Sequence, residues 1–250
     1  MKKSNWLLLA LSAVSAVLLR VWQNRTGFEE SGLAIRGNLP GILLPVVLAA
    51  AAAYFIVSLR ALPKRCEEPL SARFRFRGNL AAVFCAVAGA FLVMSGAALS
   101  IVSRSGRVEV LLALFAIAAA VCVLGTVFAL SRGGEASGLA LLVPVCALLV
   151  YLIYGYRANA SEPVLARIYI AILAGCALTL SSLKRVAFAY RDGTPRSFAV
   201  TGAMAVILAL AAAADGTGLS AAMLFAGCAA IELGFLAAAD LSAAGMGGNG

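Results

Sequence analysis

The chain has 250 residues, 63% of them hydrophobic and only 12% charged, with a formal net charge of +9 and a mean hydropathy of +0.99. No water-soluble domain of useful size can be cut from such a composition, and the complete lack of histidine excludes bis-His haem ligation, an HExxH metal site and a Ser-His-Asp triad. Backbone N–H and C=O groups in a bilayer must be satisfied within the protein, so only helices or closed barrels span it. The apolar runs here are continuous and rich in Ala and Leu rather than alternating, which predicts an all-α fold, a polytopic transmembrane helical bundle.

A spanning helix needs about 20 mainly apolar residues. About eight segments meet that length, at 5–23, 41–61, 79–103, 108–131, 139–156, 164–183, 198–214 and 219–240. Together they predict a single transmembrane helical domain over 1–244 and a flexible Gly-rich tail at 245–250. In the first segment, Lys2 and Lys3 followed by an apolar run also match a secretory leader, with Val14-Ser15-Ala16 at the cleavage position. Val17-Leu18-Leu19 carry the run past that site, and a retained helix is the reading taken.

Between the first two helices, Gly27, Gly32 and Gly37 recur every five residues among charges and the apolar Phe28, Leu33 and Ile35. That composition suits a turned loop folded back over the bundle as a cap. Pro45-Val46-Val47-Leu48 and Pro163-Val164-Leu165 open helices four apart, each followed by a basic loop, which predicts two four-helix halves in parallel repeat. Ahead of the third helix, Arg73-Phe74-Arg75-Phe76-Arg77 alternates cation and aromatic. Extended backbone would send Arg73, Arg75 and Arg77 to one side and the Phe rings to the other, a pattern for anionic-lipid contact.

Further along, Tyr151, Tyr154, Tyr156 and Tyr169 gather at one membrane edge, as an aromatic belt or a ligand-stacking site. Arg167 lies near the same edge, within snorkelling reach of the headgroups. Cys85, Cys122, Cys146, Cys176 and Cys228 are single residues in apolar helices, Cys66 lies in a loop, and none has metal-ligand spacing. No cofactor and no metal site is expected.

Glu232 is the most informative single residue, because an ionisable group inside a spanning helix costs about 2.5–3.5 kcal/mol on insertion scales and marks a functional site by default. On a helical wheel it shares a face with Phe225, Cys228, Phe235, Leu236 and Ala239, while Ala222, Ala226, Ala230, Gly234 and Ala238 form a small-residue stripe opposite. With Lys184 and Arg185 assigned to a loop, no cation falls at its depth. Glu232 is therefore expected as a lone, neutral, buried acid. Glu232, Arg167, Tyr154 and Tyr156 make up the candidate substrate or ion path.

Thirteen of the 20 Lys and Arg residues fall in the terminus and loops on one side of this arrangement, which predicts both termini in the cytoplasm. The positive charge is thus an insertion signal, and nucleic acid is not an expected partner. The expected partners are the lipid bilayer, anionic lipids at the cytoplasmic loops and other membrane subunits.

The stretch Tyr154-Gly155-Tyr156-Arg157-Ala158-Asn159-Ala160-Ser161-Glu162-Pro163-Val164, with Tyr169, Pro195-Arg196, Thr26-Gly27-Phe28 and Ser31-Gly32-Leu33, resembles a family of uncharacterised multi-pass membrane proteins of Gram-positive anaerobic bacteria. The resemblance implies a bacterial cytoplasmic membrane and carries no activity or site with it. Among function classes, a small-solute transport or ligand-binding membrane subunit comes first, on Glu232 and the small-residue faces. A non-catalytic scaffold or partner subunit is the alternative, and no paired carboxylates recommend an enzyme.

Overall fold

The computed structural model describes residues 3–29, 35, 37–65, 67–103, 106–159, 165–215 and 218–240. Much of the capping loop and all of the tail at 245–250 therefore lie outside the described residues, as do Cys66 and Pro163. Of the described residues, 82% are helical. Among the described residues the helices are α1 (Lys3–Thr26), α2 (Leu39–Ser58), α3 (Leu70–Arg73), α4 (Leu80–Val102), α5 (Arg107–Ser131), α6 (Gly138–Asn159), α7 (Leu165–Ala189), α8 (Pro195–Ala213) and α9 (Leu219–Ala238). All but α3 are long and apolar enough to cross a membrane. The eight spans thus fall where hydropathy places them.

The largest boundary difference is in α7, which runs six residues past the predicted end at 183 to Ala189. Val186-Ala187-Phe188-Ala189 continue its apolar pattern beyond Lys184 and Arg185, and Val186 and Phe188 are buried. Helix starts follow local chemistry: Pro lies in the first turn of α2 and α8, where its missing N–H is not needed. Asn79 caps α4 by accepting from Ala82 N at 3.2 Å, and its amide also donates to Ala237 O at 3.0 Å, fastening the start of α4 to the end of α9.

Helices α4 to α9 form a closed circuit in which each packs on the next and α9 returns to α4, while the α1–α2 pair lies against α8. Two consecutive four-helix halves are not what forms. The α4–α9 interface is the most extensive in the molecule, and it joins the third span to the last. Glycine explains why. A Cβ on Gly227 would lie 2.6 Å from the Gly89 carbonyl oxygen, and one on Gly234 would lie 2.8 Å from that of Ala82, so the two backbones touch. The close-contact stripe of α9 is therefore Gly227, Ile231 and Gly234, rotated from the predicted one; Ala222, Ala226 and Ala230 are only half-buried. Without a hydrophobic force between helices in lipid, such close van der Waals contact is what holds them together.

The loop from Arg60 to Asn79 and the turn after α7 share one end of the bundle, here called the basic end. There Phe74 bridges to Ala239, Arg75 N donates to Ala238 O at 2.8 Å, and Asp240 N donates to Arg73 O at 2.8 Å. This strap turns Phe74 and Phe76 inward, both 1% exposed, and leaves Arg75 and Arg77 in the open. Arg73 departs from the alternation because it ends α3 instead of extending the strand. It is buried, with Nη1 3.5 Å from Glu68 Oε2.

Candidate functional site

Among the described residues, two buried ion pairs stand near opposite ends of the bundle. At the basic end Arg185 lies four residues inside the end of α7 and Glu232 six inside the end of α9, about 6 and 9 Å along their axes. Their side chains form a salt bridge and are 4% and 2% exposed. Ser181 Oγ donates to Glu232 Oε2 at 2.8 Å, Arg185 Nη2 also donates to Ser182 Oγ at 3.0 Å, and the guanidinium sits over the Phe235 ring at 4.0 Å. The lone neutral acid expected from the sequence is replaced by a charge pair, because the extended α7 carries Arg185 into the bundle.

Helix spacing assembles this network. Ser181, Ser182 and Arg185 lie within four residues on α7 and share a face, as Glu232 and Phe235 do on α9. Gly202 lets α8 pass close by: a Cβ there would be 3.4 Å from Ser181 Oγ. Next to the pair, Phe235 joins Phe74 and Phe76 of the basic loop and, through Phe74, Phe188 and Phe198, in edge-to-face contacts with centroids 5.2 to 5.9 Å apart. Such pairs each add about 0.5–1.5 kcal/mol beyond burial. Five rings drawn from four segments thus link the ion pair to the basic loop.

At the far end, Arg20 of α1 pairs with Asp215, just past the end of α8, and both side chains are almost fully buried. Arg20 Nη1 also donates to Gln23 Oε1 at 2.8 Å, its guanidinium stands 5.4 Å from the Tyr169 ring centre, and Asn24 donates to Ala214 O at 3.0 Å. Asp215 Oδ2 is buried without a hydrogen-bond partner. Burial pushes the Asp215 carboxyl above the ordinary carboxylate range, against the opposing pull of Arg20.

Of the residues singled out by sequence, Glu232 is in the basic-end network. Tyr154 is half-buried and Tyr156 is 58% exposed, and the hydrogen bonds of Glu232 go instead to Ser181 and Arg185. Arg167 belongs to α7, but its side chain lies outside the described residues. Tyr169 meets Arg20, and Tyr151 packs edge-to-face on Phe225 at 6.0 Å. Arg185, Arg20 and Asp215 were not foreseen. Their signals were present: Ser181-Ser182 one turn before Arg185, and Arg20 enclosed by Leu18-Leu19 and Val21-Trp22.

Eight apolar helices around buried ion pairs define a multi-pass integral membrane protein. Comparison with protein families, with curated proteins and with solved structures returns no match to this chain.

Proposed function

We propose that the chain is a small-solute transport protein of a bacterial cytoplasmic membrane, with its basic end in the cytoplasm, and that the two ion pairs close opposite ends of the solute path. The observation that carries this reading is the Arg185–Glu232 pair, buried with two serine hydroxyls and backed by the phenylalanine plug. Taking two charges out of water costs several kcal/mol each, so replacing such a pair by apolar residues is often neutral or stabilising. Stability alone is a weak reason for charges there. A path that opens by separating α7 from α9 exposes an anion, a cation and two hydroxyls to an incoming polar solute.

A scaffold subunit is the second reading. It is favoured by the completeness of this network, in which the carboxylate, the guanidinium and both hydroxyls have partners, as a fixed staple between α7 and α9 requires.

Purified protein in proteoliposomes, challenged with panels of zwitterionic, anionic and cationic small solutes, tests the choice. Transport requires flux of at least one class in wild type, and its loss both in Glu232→Asp, which keeps the charge, and in the doubly neutral Arg185→Gln/Glu232→Gln. No flux in wild type, or undiminished flux in both variants, rejects it. Orientation is checked separately with an impermeant maleimide on single cysteines at Glu68 and Thr26, in a background without native cysteines. Labelling of Thr26→Cys from the cytoplasmic side only would reverse the assignment.

A further inference from the structure

An open apolar groove runs between α4 and α5 toward the basic end, lined by Val83, Val87, Val121, Leu124, Gly125 and Phe128, with a volume of about 440 Å³. That is within the range of ligand pockets, yet the lining is almost wholly apolar, so it offers nothing to orient a polar solute. Gly125 keeps it open: no atom lies within 4 Å of where its Cβ would be.

The groove's end carries charge. Arg132, exposed at the end of α5, lays its guanidinium over the Phe128 ring at 3.8 Å, and Phe128 is itself a wall of the groove. Arg77, also exposed, places Nη1 3.7 Å from where a Gly133 Cβ would stand, next to Arg132 in the chain. Neither arginine has a salt bridge with a described residue, whereas exposed Arg75 is 3.3 Å from Asp240. An apolar channel at acyl-chain depth, ending in two unneutralised guanidinium groups at headgroup level, is complementary to one kind of molecule. Arginine's planar fork suits a phosphate, and stacking on Phe128 holds one fork in position.

We propose that this groove binds one anionic phospholipid of the adjacent leaflet, its acyl chain along Gly125 and its phosphate between Arg77 and Arg132. The site is independent of the ion-pair network and of any transport activity.

Delipidated protein in mild detergent is titrated with phosphatidylglycerol and, separately, with phosphatidylcholine of the same chains, and bound lipid is counted by native mass spectrometry. Wild type should prefer the anionic lipid, and Arg77→Gln and Arg132→Gln should each lower that preference about fivefold. Gly125→Leu, which fills the groove, should lower occupancy by both lipids, with lipid-free melting temperature serving as the folding control. Arg75→Gln should change nothing. Equal binding of the two lipids by wild type, a preference that survives Arg77→Gln/Arg132→Gln, an equal loss in Arg75→Gln, or undiminished binding by Gly125→Leu would each overturn the assignment.

Discussion

At the basic end Glu232 has a cation on one oxygen and a serine on the other, and its cation has a further serine and an aromatic face. At the far end Asp215 has Arg20 on one oxygen and no partner on the other. Both pairs are nearly dry, so the difference is one of satisfaction rather than of exposure. A fully satisfied network rigidifies its surroundings, while a buried polar atom left without a partner costs about 1–3 kcal/mol. The basic end is accordingly the more fully satisfied and the firmer of the two; in the proposed transport reading, the far end is the one that opens more readily.

Removing one partner gives the largest contrast. Arg185→Ala leaves Glu232 buried without its cation, with only Ser181 as a partner, and should destabilise the fold by about 3–5 kcal/mol. Arg20→Ala should cost less, because Asp215, already displaced toward its protonated form by burial, answers the loss by taking up a proton. Denaturant unfolding in a fixed detergent compares the two. An Arg20→Ala penalty as large as that of Arg185→Ala would remove the distinction between the ends.

The firmness of the basic end also depends on the helix that carries Glu232. Gly227→Ala would place a methyl against the Gly89 carbonyl and Val93 N, neither of which can move without displacing α4. A loss of about 1–3 kcal/mol from overpacking is expected, against little for Ala230→Leu on the half-buried side. Equal stability of the two variants would place the α9 contact face where the sequence put it.

That face marks how far the sequence was legible. Hydropathy located all eight spans because the bilayer demands unbroken apolar runs of fixed length, and Glu232 stood out because a charge in such a run has few explanations. A helical wheel cannot say which of two small-residue faces meets a neighbour, since Ala and Gly line both. Nor could it find Arg185, because a loop-proximal Arg on a helix extension and one in a loop give the same insertion signal. The plug was half visible: alternation set Phe74 and Phe76 on the side away from Arg75 and Arg77, but their burial and their meeting with Phe188, Phe198 and Phe235 depend on tertiary contacts.

Acidity separates the two ends next. Since burial raises Asp215 above its ordinary value of 3.8, the folded protein holds a proton there at pH values where the unfolded chain has released it. The folded state thus binds more protons, and its stability falls as pH rises from about 4 through the raised pKa. Asp215→Asn carries no such proton and should lack that part of the slope. Unfolding midpoints of both proteins across this window give the measurement, and coincident profiles would mean that Arg20 fully offsets the burial.

The smallest effect concerns the contact that joins the far-end pair to α7, the helix that also bears Arg185. Arg20 stands over the Tyr169 ring at 5.4 Å, toward the long end of cation–π range, whereas Arg185 stands over Phe235 at 4.0 Å. Tyr169→Leu removes the π face together with the phenolic hydroxyl while keeping an apolar side chain, and the lost cation–π contact should cost about 0.5–1 kcal/mol. Phe235→Leu should cost more, because its ring also packs on Phe74 and Phe76 in the plug and is wholly buried. If the far end is the looser closure, Tyr169→Leu should also speed hydrogen exchange in the last turns of α1 and α8 while leaving the basic end unchanged. An equal penalty for the two substitutions, or faster exchange at the basic end, would show that the ends are coupled through α7 rather than graded in firmness.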